Sequence, residues 1–150
     1  MPQSLAKVLV HIIFSTKQRR PLIQPGVVRD LNAYVGGALS NLGCQPIAVN
    51  SMPDHTHILC RLSRNHALAK VIEEVKKTSS KWVKTKAPGL GDFYWQAGYG
   101  AFSVSQSNVE AVRQYILDQE QHHRKRSFQD EFRAFLKRHD IEYDERYIWD

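Results

Sequence analysis

The run Leu5 to Ser15, LAKVLVHIIFS, limits the fold more than any other stretch: Val, Leu, Ile and Phe fill a strand's length without alternating with polar residues. Such a run suits a central strand covered on both faces, although periodicity alone also admits a short buried helix. A central strand needs partners on both sides, and the rest of the chain supplies candidates. The polar cluster Thr16–Arg20 and Pro21 end the run. Pro25 stands where helix-opening prolines stand, and Val28, Leu31, Tyr34, Val35 and Leu39 follow at helical spacing as far as Leu42, with Gly43 as the stop. Pro46–Ser51 and His55–Leu62 read as two short strands joined by a turn of Met52, Pro53 and Asp54, an antiparallel hairpin.

A second helix is predicted over about His66 to Lys86. Its apolar stripe is Leu68, Val71, Ile72, Val75 and Trp82, with Lys70, Lys77, Lys81 and Lys84 on the opposite side. Pro88, Gly89 and Gly91 break the chain, and the aromatic stretch Phe93–Tyr99 leads into a fourth strand, Ala101–Ser105. Ser107 or Asn108 caps a third helix with Glu110 in its first turn, running to about His123. A charged helical segment, Phe128–Arg138, and an acidic, aromatic tail, Tyr143–Asp150, complete the chain.

The order is β-α-β-β-α-β followed by helix: an α+β, ferredoxin-like split βαβ plan that also underlies RNA-recognition (RRM-like) modules. The 150 residues make a single domain, 1–150. Its antiparallel four-stranded sheet is expected to carry two helices on one face, leaving the other face to a partner or ligand. Fold alone names no function.

Charge narrows the partners. Lys plus Arg number 21 against 15 for Asp plus Glu, a net +6, and the pI is about 9.4. That balance favours a nucleic acid, an anionic membrane surface or an acidic protein. Two cysteines, Cys44 and Cys60, are too few for a disulfide framework or a cysteine-rich zinc module. The N-terminus lacks signal-peptide features, and no stretch reaches the roughly 18–20 apolar residues of a membrane span, so a soluble, cytoplasmic protein is expected. There is no GxxxxGK[ST] loop to hold a nucleotide.

Chemistry concentrates in two places. His55 and His57 lie at i and i+2 of a strand, so both imidazoles project from one face and can ligate one divalent metal; two polar residues on an exposed strand face is the plainer alternative. Tyr115 and Gln119 lie at i and i+4 of a helix and stack on one side. A tyrosine hydroxyl can act as a covalent nucleophile and an amide oxygen as a hard ligand, yet a helical tyrosine is more often packing.

PDHTHIL, YWQAGYGAFSVS, YILDQEQHHRKRSFQDEF and IEYDERYIWD resemble the single-tyrosine HUH transposases of small insertion sequences, with REP-associated tyrosine transposases a more distant branch. The resemblance implies cleavage of single-stranded DNA at transposon ends with Mg²⁺ or Mn²⁺, linking a tyrosine to a 5′-phosphate and releasing a 3′-OH that later attacks another such linkage. Matched residue by residue, it implies that His55 and His57 hold the metal, Tyr115 is the nucleophile and Gln119 is the third ligand. Thr56 departs from the bulky apolar residue usual between the two histidines. The resemblance further implies a homodimer, with the catalytic helix either staying with its own chain or completing the partner's site in trans, and DNA that carries subterminal hairpins.

Lys17, Arg19 and Arg20, together with Lys70, Lys77, Lys81 and Lys84, are the expected DNA contacts, with a solvated helix face as the bland alternative for each lysine. Phe93, Tyr94, Trp95 and Tyr99 are stacking candidates, though aromatics beside a last strand more often serve core or interface. His122 and His123 fall at i+7 and i+8 from Tyr115 and have no assigned role; His11 reads as a hydrogen-bonded interior histidine and Cys60 as packing. Competing functions are a non-cutting RRM-like binder of single-stranded nucleic acid, a small zinc hydrolase using His55, His57 and a cysteine, and a domesticated relative acting on chromosomal repeats.

Overall fold

A computed structural model of the chain describes residues 2–86 and 89–150. The sheet runs β2 (Gln45–Met52), β3 (His55–Arg61), β1 (Leu9–Ser15), β4 (Gly100–Val104), every neighbouring pair antiparallel. That is the strand order of the split βαβ plan. β1 is central and buried along its whole length. It starts at Leu9 rather than Leu5 because both neighbours end there: Leu9 pairs with Arg61 on one side and Val104 on the other. Leu5 and Val8 lie beyond the last partners and are exposed.

Helix α1 (Pro25–Asn41) opens on its proline, and Gly43, at φ +76°, turns the chain into β2. Helix α2 (Leu68–Lys86) is the second long helix. Both cover one sheet face, where Val10, Ile12, Phe14, Ile58 and Cys60 meet Leu31, Val35, Leu39, Val71, Ile72 and Val75. Phe93 and Trp95 join this core edge-on to each other at 4.9 Å, so they are packing, whereas Tyr94 and Tyr99 are exposed. Pro88, read as a chain break, lies outside the described residues.

The opposite sheet face is not left to a partner. Three further helices cover it: α3 (Val109–Leu117), α4 (Gln119–His123) and α5 (Phe128–Arg138). Ile116 packs on Ala48 and Leu59, and Phe128, Phe132, Leu136 and Trp149 pack on Ile13 and Phe102. Fully burying each such side chain is worth about 1.5–3 kcal/mol. This second layer is why β1 must be apolar on both faces.

The predicted third helix is two. Asp118 (φ −96°, ψ 21°) breaks it, and the Gln119 side-chain amide donates to the Tyr115 carbonyl at 3.3 Å, so the pair stays together across the bend. Helix α5 has the predicted bounds: the Ser127 hydroxyl accepts from Asp130 N at 3.2 Å, acids occupy the first turn, and Lys137 and Arg138 occupy the last. The tail ties α5 down. Glu145 pairs with Arg133, and the Asp150 carbonyl accepts from Gly98 N at 2.8 Å and Gln96 Nε2 at 3.1 Å.

Candidate metal and nucleophile site

β3 aims His55 and His57 at the C-terminal helices, while Thr56 points the other way into the first core. The threonine hydroxyl is satisfied there, donating to the Asn50 carbonyl at 3.1 Å and lying 3.0 Å from Ser51 Oγ, so a polar residue is tolerated at a buried position.

Each histidine is oriented from behind. Asp54 Oδ1 lies 2.7 Å from His55 Nδ1, which places the hydrogen on that nitrogen and leaves Nε2 as the lone-pair atom facing the site. The His55 ring lies flat on Phe128, centroids 4.0 Å apart. His57 Nδ1 is 2.9 Å from His11 Nε2, and His57 Nε2 is 2.9 Å from Glu131 Oε1. Burial lowers His57 to about 4 against the opposing pull of Glu131, so the ring is neutral at ordinary pH, the state in which imidazole ligates metals.

Glu131 comes from α5 and is 2% exposed. Burial raises its carboxyl, but hydrogen bonds from His57 and then Tyr115 outweigh it and hold the group at about 2, ionised. Gln119 is fully buried; its Oε1 accepts from His123 Nε2 at 2.9 Å, and that nitrogen also lies 3.1 Å from His55 Nε2 and 3.6 Å from Glu131 Oε2. Ligand atoms of His55, His57 and Glu131 fall within 4.8 Å of one another. Two imidazoles, a carboxylate and an amide oxygen fit a divalent cation of the Mg²⁺ or Mn²⁺ kind.

Tyr115 is half-buried beside this cluster. Its ring centroid is 6.0 Å from that of His57 and 4.5 Å from that of His122. Asn50 fixes the end of its helix by donating Nδ2–H to the Ile116 carbonyl at 2.9 Å. Burial pushes the phenol above its ordinary value, and the neighbouring Glu131 carboxylate pushes it further. The phenol borders a cleft of about 340 Å³, also lined by His11, Glu131, Asn108, Arg126 and Arg138.

The basic residues fall into two groups. Lys17, Arg19 and Arg20 leave β1 at the His55 end, because Ser15 pairs with His55 and Thr16 N donates to the Asp54 carbonyl at 2.8 Å. Gln18 and Arg19 both take positive φ in this tight turn, and Arg19 Nε is buried with no acceptor among the described residues. Lys70, Lys77, Lys81 and Lys84 sit on α2, across the sheet from Tyr115. Lys70 is held by Glu73 and Glu74, and Lys84 lies 4.0 Å from the Tyr94 ring centre. Cys44 and Cys60 are buried on the α1–α2 side, away from the histidines, which removes the thiol that a zinc hydrolase would need.

Sequence reasoning missed Glu131 and the way His11 and His123 converge on the pair. A signal for Glu131 was present: Phe128, Glu131, Phe132 and Leu136 form the buried stripe of α5, and one of the four is a carboxylate.

Comparison with known proteins gives the family and the fold. The family described as "Transposase IS200 like" matches residues 4–119. The ISDra2 transposase TnpA of Deinococcus radiodurans is 24% identical over 114 residues, spanning 73% of this chain and 81% of that protein. A crystal structure from Deinococcus radiodurans R1, assigned as a transposase, superposes with a TM-score of 0.61 at 24% identity over 79% of this chain and 98% of its own. A REP-associated tyrosine transposase bound to a REP hairpin superposes with a TM-score of 0.60 at 14% identity over 82% of this chain and 73% of its own. At these identities the superpositions speak to the fold. Among the described residues no helix is long and apolar enough to cross a membrane.

Proposed function

Because the chain belongs to the IS200-like transposase family, we propose that it cuts and rejoins single-stranded DNA at insertion-sequence ends through a covalent link to Tyr115. The observation that supports this most is the delivery of Tyr115 by α3 to the side of the His55–His57 pair within one chain. The phenol oxygen attacks phosphorus, the bond from phosphorus to the 3′-oxygen breaks, and the phenol hydrogen ends on the released 3′-OH. The DNA remains on Tyr115 through its 5′-phosphate. Attack by another 3′-OH reverses the exchange and restores the phenol, so bond energy is kept and no nucleotide is spent.

His55, His57 and Gln119 would hold Mg²⁺ or Mn²⁺. When bound, the metal supplies positive charge against the phosphate oxygens and the leaving oxygen. The chain does the rest. Asp54 and Phe128 fix His55, Asn50 fixes the end of the Tyr115 helix, and Arg126 and Arg138 at the cleft place guanidinium charge where a phosphate would lie.

Lys17, Arg19 and Arg20 guide the single strand toward His55: Lys17 and Arg20 are exposed there, and the Arg19 guanidinium lies over the Trp149 ring, 5.2 Å from its centre. The lysines of α2 take the flanking DNA on the far side of the sheet, where a subterminal hairpin of the kind bound by the REP-associated relative would rest. Two ends must be cut, so two chains act as a homodimer, each with its own tyrosine. An RRM-like binding module is less well supported, because the sheet face such modules offer to bases is covered by α3, α4 and α5.

The test incubates protein, Mn²⁺ and labelled single-stranded DNA spanning the encoding element's ends. Wild type should form an adduct that survives denaturation. Tyr115→Phe should form none, and His57→Ala should bind hairpin DNA without cutting. An adduct with Tyr115→Phe removes the nucleophile assignment.

A further inference from the structure

The metal-binding reading above takes its three ligands from the stretch shared with the family, which ends at residue 119. Helix α5 lies beyond that stretch and is packed onto the same site. We propose that Glu131 of α5 is a metal ligand in this protein, adding the one anionic donor to an otherwise neutral set. The inference rests on the metal-dependent reading and extends it.

Placement is the first support. Glu131 occupies the apolar stripe of α5 with Phe128, Phe132 and Leu136 and is 2% exposed. A carboxylate in such a stripe is costly unless other groups offset its desolvation. The compensation visible comes from hydrogen bonds, donated by His57 and by the Tyr115 hydroxyl. Its ion-pair contacts are His57 Nε2 at 2.9 Å and His123 Nε2 at 3.6 Å, and no lysine or arginine nitrogen lies within 4.0 Å among the described residues. The carboxylate is thus held by hydrogen bonds and histidine contacts, with its oxygens within 4.8 Å of the ligand atoms of His55 and His57.

The second support is the direction of the two oxygens. Oε1 faces His57 Nε2, and Oε2 faces the His123 nitrogen that also meets Gln119 Oε1 and His55 Nε2. One carboxylate thus spans both halves of the donor set. The third is the back of His57: Nδ1 already lies 2.9 Å from His11 Nε2, so the ring can carry its hydrogen on Nδ1 and present Nε2 as a lone pair without moving. Hard divalent cations favour carboxylate oxygen, and histidines with an amide alone carry no charge to hold one.

The measurement is Mn²⁺ binding to the full-length chain by calorimetry, followed by melting with Mn²⁺ and with EDTA. Glu131→Gln keeps an oxygen to accept from His57 and nearly the same volume, so its melting temperature in EDTA should stay close to wild type while Mn²⁺ affinity falls by about 10–100-fold. Mn²⁺ should raise the melting temperature of wild type and much less that of the variant. If Glu131→Gln proves unstable, Glu131→Asp decides against wild type: a ligand oxygen drawn back by one methylene lowers Mn²⁺ affinity several-fold, and an affinity equal to wild type overturns the proposal. Unchanged affinity in Glu131→Gln, with loss in His55→Ala, overturns the Glu131 assignment alone. A wild-type chain that takes up no Mn²⁺ overturns it together with the metal-dependent reading.

Discussion

Gly100 tests whether the C-terminal layer is held against the site as the packing requires. A Cβ at this position would stand 2.9 Å from both Cε2 and Cζ of Phe132 and 3.2 Å from Cε2 of Phe102. Carbon atoms pack favourably at about 3.5–4.0 Å, so Gly100→Ala demands a shift of roughly 0.5–1 Å. Phe132 has little freedom to give: its ring is flanked by Phe102, Phe128 and Trp149 at 6.5, 5.9 and 5.8 Å between centroids. Relief must come from displacing α5 itself. Overpacking of this kind costs about 1–3 kcal/mol. For a domain of this size the melting temperature drops by about 2–4 °C per kcal/mol, so a loss of roughly 2–12 °C is expected in EDTA. The cost should be returned in part by Phe132→Leu, giving a coupling of about 1 kcal/mol or more in a double-mutant cycle. Since Glu131 precedes Phe132, Mn²⁺ affinity should fall in Gly100→Ala and recover with the compensating change. A Gly100→Ala protein that melts like wild type, or strictly additive single effects, would refute this packing argument.

Three further outcomes follow from the same contacts. His11→Ala should weaken Mn²⁺ binding by about 10–100-fold, with partial recovery in His11→Gln, whose amide oxygen can accept from His57 Nδ1; calorimetry reads both. In EDTA the protein should lose stability as pH falls from 6.5 toward 4, because the unfolded His57 takes up a proton before the buried one does; burial lowers His11 and His123 in the same direction, so His57→Gln should remove only the His57 share, about 3 kcal/mol, and leave a shallower slope, measured by urea melts across that range. Arg19→Ala should lower affinity for single-stranded DNA and reduce the salt slope by about 0.7, whereas Lys81→Ala should affect hairpin-bearing DNA more than an unstructured strand, by titration at several salt concentrations.

Much of this architecture is legible in the residues because local chemistry and tertiary need agree. The apolar run of β1, broken only by His11 before its last serine, demands cover on both faces, and it receives both. His55 and His57 share a face by strand geometry, Tyr115 and Gln119 remain neighbours across the Asp118 bend, and Ser127 caps α5 as an N-cap serine should. What the sequence hides is long-range. That the chain's own C-terminal helices cover the second sheet face follows from packing between segments distant in sequence, to which helical periodicity is blind. Glu131 and His11 lie 74 and 46 residues from His57, and only the closed fold joins them.

The central claim is that Tyr115 carries the DNA between cutting and joining. The direct measurement is mass spectrometry of the denatured, protease- and nuclease-trimmed adduct formed with Mn²⁺ and end-spanning single-stranded DNA. The account predicts a nucleotide remnant joined through its 5′-phosphate to Tyr115 in the peptide between Arg113 and Arg124. A remnant on any other residue, or cleaved DNA with no protein-linked remnant, would contradict it.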